Sequence, residues 1–225
     1  MEPKLLMIET STECCSVALS AGSRILASHV DETPRRQSAM LAPYIADILE
    51  EAGLKATDLD AVAVSQGPGS YTGLRVGVST AKGLCFGAGV PLVGVDTLRI
   101  LALQADGRFD RIVPMIDARR MEVYAAVFDA SGRKLAPTEA VILNPDSYAA
   151  ELETGSVCFI GTGAAKFSEI CTHPNARFQP CFPLASFMLQ PALEALQKKE
   201  FEDVAYFEPF YLKEFVAGIS KKAVL

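Results

Sequence analysis

The sequence predicts an α/β protein of two lobes, each a mixed sheet flanked by helices, with the second lobe smaller and degenerate. Two observations carry this expectation. Three short β-like runs open the chain and are followed by alternating helical and strand segments. From about Asp106 a strand-rich opening recurs in shortened form. No literal repeat is detectable, so the duplication rests on architecture alone. The expected lobes are residues 1–104 and 105–225.

In chain order, Lys4–Glu9, Cys14–Ser20 and Ile25–Val30 are apolar runs of strand length, the last two joined by the turn Ala21-Gly22-Ser23. Residues 35–53 have helical spacing and end on Gly53, a C′ glycine. A strand over 60–66, a helix over 70–86, a strand over 91–95 and a short helix from Thr97 complete the first lobe. This is the ribonuclease-H-like plan. In the second lobe 111–117 and 122–129 read as a hairpin, 133–141 as a third strand and 156–160 as a fourth. Helices are expected from Gly163 and over 183–199.

The most specific stretch is Gln66-Gly67-Pro68-Gly69-Ser70-Tyr71-Thr72-Gly73-Leu74-Arg75-Val76-Gly77. Gly67-Pro68-Gly69 is a turn, and Ser70 is placed to cap the helix behind it. Within that helix Gly73, Gly77 and Ala81 fall every fourth residue and line one ridge. A glycine inside a helix costs roughly 1 kcal/mol against alanine, so two on one ridge imply close approach of another backbone. A phosphate-binding P-loop requires Lys then Ser or Thr after the last glycine, and Leu74-Arg75 follows Gly73 instead. Packing, internal or against a partner, outranks anion binding. The helix of 35–53 has a surplus of the same kind. Its apolar residues spread over about half the circumference, where a helix lying on one sheet needs a stripe of about 100°. Met40, Tyr44, Ile48, Gly73, Gly77 and Ala81 are therefore the expected partner-interface residues, with cover by a neighbouring helix as the alternative. Pro43 should kink or delay its helix.

Composition narrows the function classes. Half of the 225 residues are hydrophobic, and mean hydropathy is +0.23, which leaves apolar surface for an interface. With 21 Lys+Arg against 27 Asp+Glu the net charge is −6, so tight nucleic-acid binding by this chain alone is disfavoured. The basic pairs Arg35-Arg36, Arg119-Arg120 and Lys221-Lys222 are isolated. Six cysteines without a C-x-x-C point to a reduced, cytoplasmic protein. The uncharged apolar stretch Gly83 to Val95 has 13 residues, is punctuated by glycines and Pro91, and is too short to span a bilayer. His29 and His173 lie far apart, so no tight metal site and no Ser-His or Cys-His pairing can be argued.

Ile8-Glu9-Thr10-Ser11-Thr12 with Cys15-Ser16-Val17-Ala18-Leu19, the glycine stretch through Arg75, Asp117-Ala118-Arg119-Arg120-Met121-Glu122-Val123-Tyr124 and the closing Pro209-Phe210-Tyr211-Leu212-Lys213 together carry a resemblance to the TsaB family. It implies the actin-like ATPase (ASKHA) superfamily fold. It also implies a non-catalytic dimerisation subunit that supports a catalytic TsaD subunit in forming N6-threonylcarbamoyladenosine on tRNA, joined by the ATPase TsaE. Alone, such a chain is expected to homodimerise, to touch tRNA only indirectly or weakly, and to hold no tight cofactor beyond a weak or interface-dependent nucleotide. TsaD carries a metal-binding histidine pair on its first long helix, whereas this chain reads Arg36-Gln37-Ser38-Ala39-Met40. The competing reading is a stand-alone ATP-dependent phosphotransferase of the same superfamily.

By that resemblance Glu9, Thr10 and Ser11 stand where actin-like ATPases carry a phosphate hairpin, though an ordinary polar turn explains them equally well. Gly161, Thr162 and Gly163 resemble the adenosine-side loop, though a plain strand-to-helix turn explains them better. The second phosphate hairpin would fall at Asp117-Ala118-Arg119-Arg120, which contains no glycine to close on a phosphate. A solvated turn is the preferred reading there.

Overall fold

The computed structural model describes residues 2–213; the basic pair Lys221-Lys222 and the end of the expected second lobe lie outside them. The first sheet is built from β1 (Lys4–Glu9), β2 (Cys15–Ala21), β3 (Arg24–Asp31), β4 (Ala61–Gly67) and β5 (Leu92–Asp96), in the order β3-β2-β1-β4-β5. β1 pairs antiparallel with β2 and parallel with β4. The second sheet has β6 (Arg111–Asp117), β7 (Glu122–Ala125), β8 (Phe128–Asp129), β9 (Glu139–Ile142), β10 (Val157–Ile160) and β11 (Ala176–Gln179). Its order is β11-β10-β6-β7-β9, with β8 beside β6. Element by element this repeats the first sheet, with β6 in the place of β1 and β10 in the place of β4. The duplication expected from the strand pattern is present.

The helices show the degeneration. Between β3 and β4 lies α1 (Gln37–Glu51, 15 residues), and between β4 and β5 lies α2 (Tyr71–Ala88, 18 residues). Their counterparts α4 (Ala149–Thr154) and α5 (Ala164–Ser168) have 6 and 5 residues. α3 (Thr97–Ala102) follows β5, and α6 (Leu189–Lys198) follows β11. The caps are as expected: the Ser70 side chain accepts from the Gly73 amide, and Gly53 ends α1 at φ 64°. Pro43 lies inside a continuous α1, with its ring side exposed to solvent.

Five layers stack. α1 and α2 cover one face of the first sheet through Leu41, Ile45, Ile48, Val78 and Ala81 against Leu6, Ile8, Val62 and Val64. On the other face Leu5, Met7, Ala63 and Val93 meet Ile100 of α3 together with Ala185, Met188 and Ala192. Leu98 and Leu101 of α3 join Ile112, Ile116, Phe128 and Ile160 of the second sheet. The outer face of that sheet is covered by Leu152 and Phe167 of α4 and α5.

Two expectations need correction. The strand predicted over 122–129 breaks into β7 and β8, and the one over 133–141 is reduced to β9; Asp129 turns the chain by accepting from Ser131 and Arg133. α4 and β11 carry too few periodic residues to announce themselves. The second sheet begins at Arg111, and residues from Ala185 onward run back along the first sheet: Met188 and Ala192 pack on it, and Glu202 bridges to Leu92.

Candidate functional site

The two lobes face each other across a cleft of about 510 Å³ lined by Ser11, Thr12, Glu13, Ser70, Ile116, Asp117, Arg119, Thr162 and Phe182. It opens at the carboxyl ends of β1 and β6, where ligands of parallel α/β sheets bind. All three loops singled out in the sequence therefore converge there, with one residue of the last, Thr162, reaching the lining.

Their chemistry is largely turned inward. Glu9 ends β1 and is fully buried; its Oε1 accepts from the Ser11 amide at 2.6 Å, while Oε2 has no hydrogen-bond partner. Burial pushes its carboxyl up to about 7, against the pull of donors at Ser11, Ser65 and Thr10. Thr10 points away from the cleft, its hydroxyl donating to the Gly73 carbonyl at 2.8 Å. The Ser11 and Thr12 hydroxyls are buried without partners.

The glycine ridge now has a cause. A Cβ at Gly73 would collide with the Thr10 carbonyl, and one at Gly77 with the Thr10 hydroxyl. The ridge exists so that α2 can lie directly on the turn after β1. At Gly67, held at φ 110°, a Cβ would sit 2.5 Å from the carbonyl of Phe210. Gly73, Gly77 and Ala81 are thus buried against their own lobe, and so are Tyr44 and Ile48, with Met40 partly covered. The residues expected at a partner interface are therefore engaged within their own lobe. Tyr44 stacks on His29 with ring centroids 3.8 Å apart, and its hydroxyl donates to Asp31 at 2.6 Å. The apolar width of both helices is consumed by the five-stranded sheet and the turns at its edge.

The surface that stays uncovered was missed by the sequence reading because its residues are small. On α1 it is Ala39, Ala42, Pro43 and Ala46; on α2 it is Ser79, Gly83, Phe86 and Gly87. A Cβ at Gly83 or Gly87 would meet nothing within 4 Å. Phe86 is 87 % exposed. The signal was available: Gly83 and Gly87 repeat the four-residue spacing on a second stripe, about 100° round α2 from the first.

The second cleft loop is closed without glycine. Arg119 and Arg120 adopt φ 73° and 51°. Asp117 Oδ1 accepts from the Arg119 amide at 2.6 Å and from Lys166 Nζ at 2.8 Å. Lys166 also donates to the Arg120 and Glu122 carbonyls. The Thr162 hydroxyl accepts from the Asp117 amide, and Gly163 packs against Val123 and Met115. The groups of this second loop are spent inside the protein, whereas the Ser11 and Thr12 hydroxyls across the cleft are left without partners; among the described residues no three His, Cys, Asp or Glu side chains are placed to hold a metal ion. All six cysteines are free; burial raises the Cys14 thiol to about 12 and Cys85 to about 11, which makes them poor nucleophiles. No helix of the described residues is long and apolar enough to cross a membrane.

Comparison with known proteins agrees with this geometry. The family model described as "TsaD: tRNA N6-adenosine threonylcarbamoyltransferase" matches residues 31–221. The tRNA threonylcarbamoyladenosine biosynthesis protein TsaB of Escherichia coli is 32% identical over 223 residues, 95% of this chain and 96% of that one. The chain belongs to the TsaB family, within the wider group that the TsaD model describes. The solved structure of YeaZ from Pseudomonas aeruginosa superposes with a TM-score of 0.81 at 32% identity, covering 93% of this chain and 100% of that one. An activator of 2-hydroxyisocaproyl-CoA dehydratase from Clostridium difficile, solved with ADPNP, shares the fold at TM-score 0.51 and 10% identity, over 88% of this chain and 96% of that one.

Proposed function

We propose that this chain is a non-catalytic dimerisation subunit in the formation of N6-threonylcarbamoyladenosine on tRNA, working in the cytoplasm. It docks a TsaD-like catalytic subunit through the outer faces of α1 and α2, with a TsaE-like ATPase completing the assembly, and pairs with a second copy when that partner is missing. Membership of the TsaB family supports the pathway. The observation that supports docking is the outer face itself: two long helices whose small residues let another backbone come close, with Phe86 standing free as an anchor. Contact with tRNA is indirect or weak on this reading, since the chain is acidic.

The cleft supports the absence of catalysis by this chain. Asp117 is held by Lys166 and by a backbone amide, and neither histidine is hydrogen-bonded to a Ser, Thr or Cys side chain among the described residues: His29 stacks on Tyr44 and His173 accepts from the Asn175 amide. Any nucleotide is bound weakly, or only once a partner completes the site. Phe86→Asp tests the docking face. Loss of an interfacial aromatic anchor should weaken association with the TsaD-like partner by about 2 kcal/mol or more, roughly 30-fold, with the unfolding midpoint unchanged. Unaltered association by light scattering and calorimetric titration would place the interface elsewhere. Magnesium-dependent ATP hydrolysis by the purified chain, abolished by Asp117→Asn, would favour the phosphotransferase reading.

A further inference from the structure

Two-lobed phosphotransferases assemble their sites by closing one lobe on the other. We propose that this chain has lost that motion: α3 and the segment following α6 form a brace that locks the lobes into one rigid body.

α3 supplies the first half of the brace. Thr97, Leu98, Ile100, Leu101 and Ala102 are all buried. Ile100 belongs to the core of the first sheet, whereas Leu98 and Leu101 belong to the core of the second. A rotation of the lobes would have to strip one of these faces from its core, and close-packed interiors do not deform continuously. Beside α3, Gln104 ties down the returning chain: its side chain donates to the Phe182 carbonyl at 3.0 Å and accepts from the Leu184 amide at 2.9 Å. One residue further on, the Ala185 amide donates to the buried Ser16 hydroxyl of β2.

The second half is residues 202–213, which run as a strap along the first lobe and end on the second. Glu202 pairs with Leu92 beside β5. Lys82 of α2 donates to the Ala205 and Phe207 carbonyls. The Phe210 amide donates to the Gln66 carbonyl at 2.7 Å, and Tyr211 packs on Tyr71 with centroids 4.7 Å apart while accepting from Arg75. Lys213 then crosses to the second lobe, where Nζ meets both Glu122 oxygens at 2.5 and 2.6 Å. At another point of the seam Lys134 of the second lobe pairs with Asp96 of the first. The cleft is thus bounded by a shared helix, a returning chain and ionic ties, and its width is fixed. This inference concerns the isolated chain and stands whichever partner docks on α1 and α2.

Spin labels test it. Glu50→Cys on α1 and Glu169→Cys after α5 place one label on each lobe, in a Cys181→Ser background, with labelled protein diluted into unlabelled so that only distances within one chain are read. The expected result is a single narrow distance distribution that saturating magnesium ATP leaves in place. Scanning calorimetry of the unlabelled chain should give one transition whose calorimetric and van't Hoff enthalpies agree. A second distance population, a shift of the distribution with magnesium ATP, or two separated thermal transitions would each overturn the brace.

Discussion

The two lobes share a strand order and differ in what they lay over it. The first covers its outer face with helices of 15 and 18 residues; the second covers the equivalent face with helices of 6 and 5. Short helices suffice to close a core, as the buried cluster of Leu152, Phe159 and Phe167 shows. The longer α1 and α2 bury residues along their whole length and, on the side away from the sheet, also carry an exposed face bearing Ala42, Ala46, Gly83 and Phe86. The strand ends differ in the same sense. Glu9 at the end of β1 is sealed in, whereas Asp117 at the equivalent end of β6 is half-exposed and paired.

The largest test of this contrast is Gly77→Leu. An overpacked side chain driven against Thr10 should cost about 3 kcal/mol, read as a lower urea midpoint at unchanged slope. A folded protein of normal stability that merely fails to associate would return the inner ridge to a partner and undo the contrast. Next comes Glu9→Gln. Burial pushes the folded carboxyl up to about 7 from its ordinary 4.5, so the folded state holds its proton more tightly than the unfolded chain. Its ionisation therefore removes stability as pH rises from about 4.5 to about 7, by about 3 kcal/mol in total. Gln should flatten that part of the pH–stability curve and raise stability at pH 8; denaturant titrations at several pH values will show whether the slope persists. The smallest effect belongs to Asp117→Asn, which loosens one half-exposed ion pair. A loss below about 1 kcal/mol is expected, with proteolysis confined to the turn around Arg119. A loss equal to that at Glu9 would make the two strand ends energetically alike.

The sequence reveals the first lobe more fully than the second, and the reason is length. Long elements repeat their pattern often enough to be read: β1, β4, α1 and α2 each run six residues or more. α4 and β11 have six and four residues, too few for a period to register. The cap at Ser70 and the C′ glycine at Gly53 were legible because each has a local chemical cause. The direction of the glycine ridge was not. Spacing places Gly73, Gly77 and Ala81 on one side of a helix without saying whether sheet or partner lies opposite, and only the carbonyl and hydroxyl of Thr10 decide it. The cleft loops were found by position, but their inward-turned hydrogen bonds depend on Lys166, distant in sequence from Asp117. The turn at Arg119 and Arg120 reads in the sequence as a solvated turn without a glycine, and its backbone is formed by placing two arginines in the left-handed region.

The return of the chain after β11 has a consequence for how the molecule comes into being. The face of the first sheet formed by Leu5, Met7, Ala63 and Val93 is sealed by Ala185, Met188 and Ala192, contacts separated by most of the chain. Such distant pairings slow folding, because a large loop must close before any of them forms. During synthesis the first sheet can pair its strands early and gather α1 and α2, yet its other face stays bare until the second lobe has been made. A fragment stopped at residue 104 would carry that bare face permanently and should self-associate, whereas the whole chain refolds only when its two ends meet.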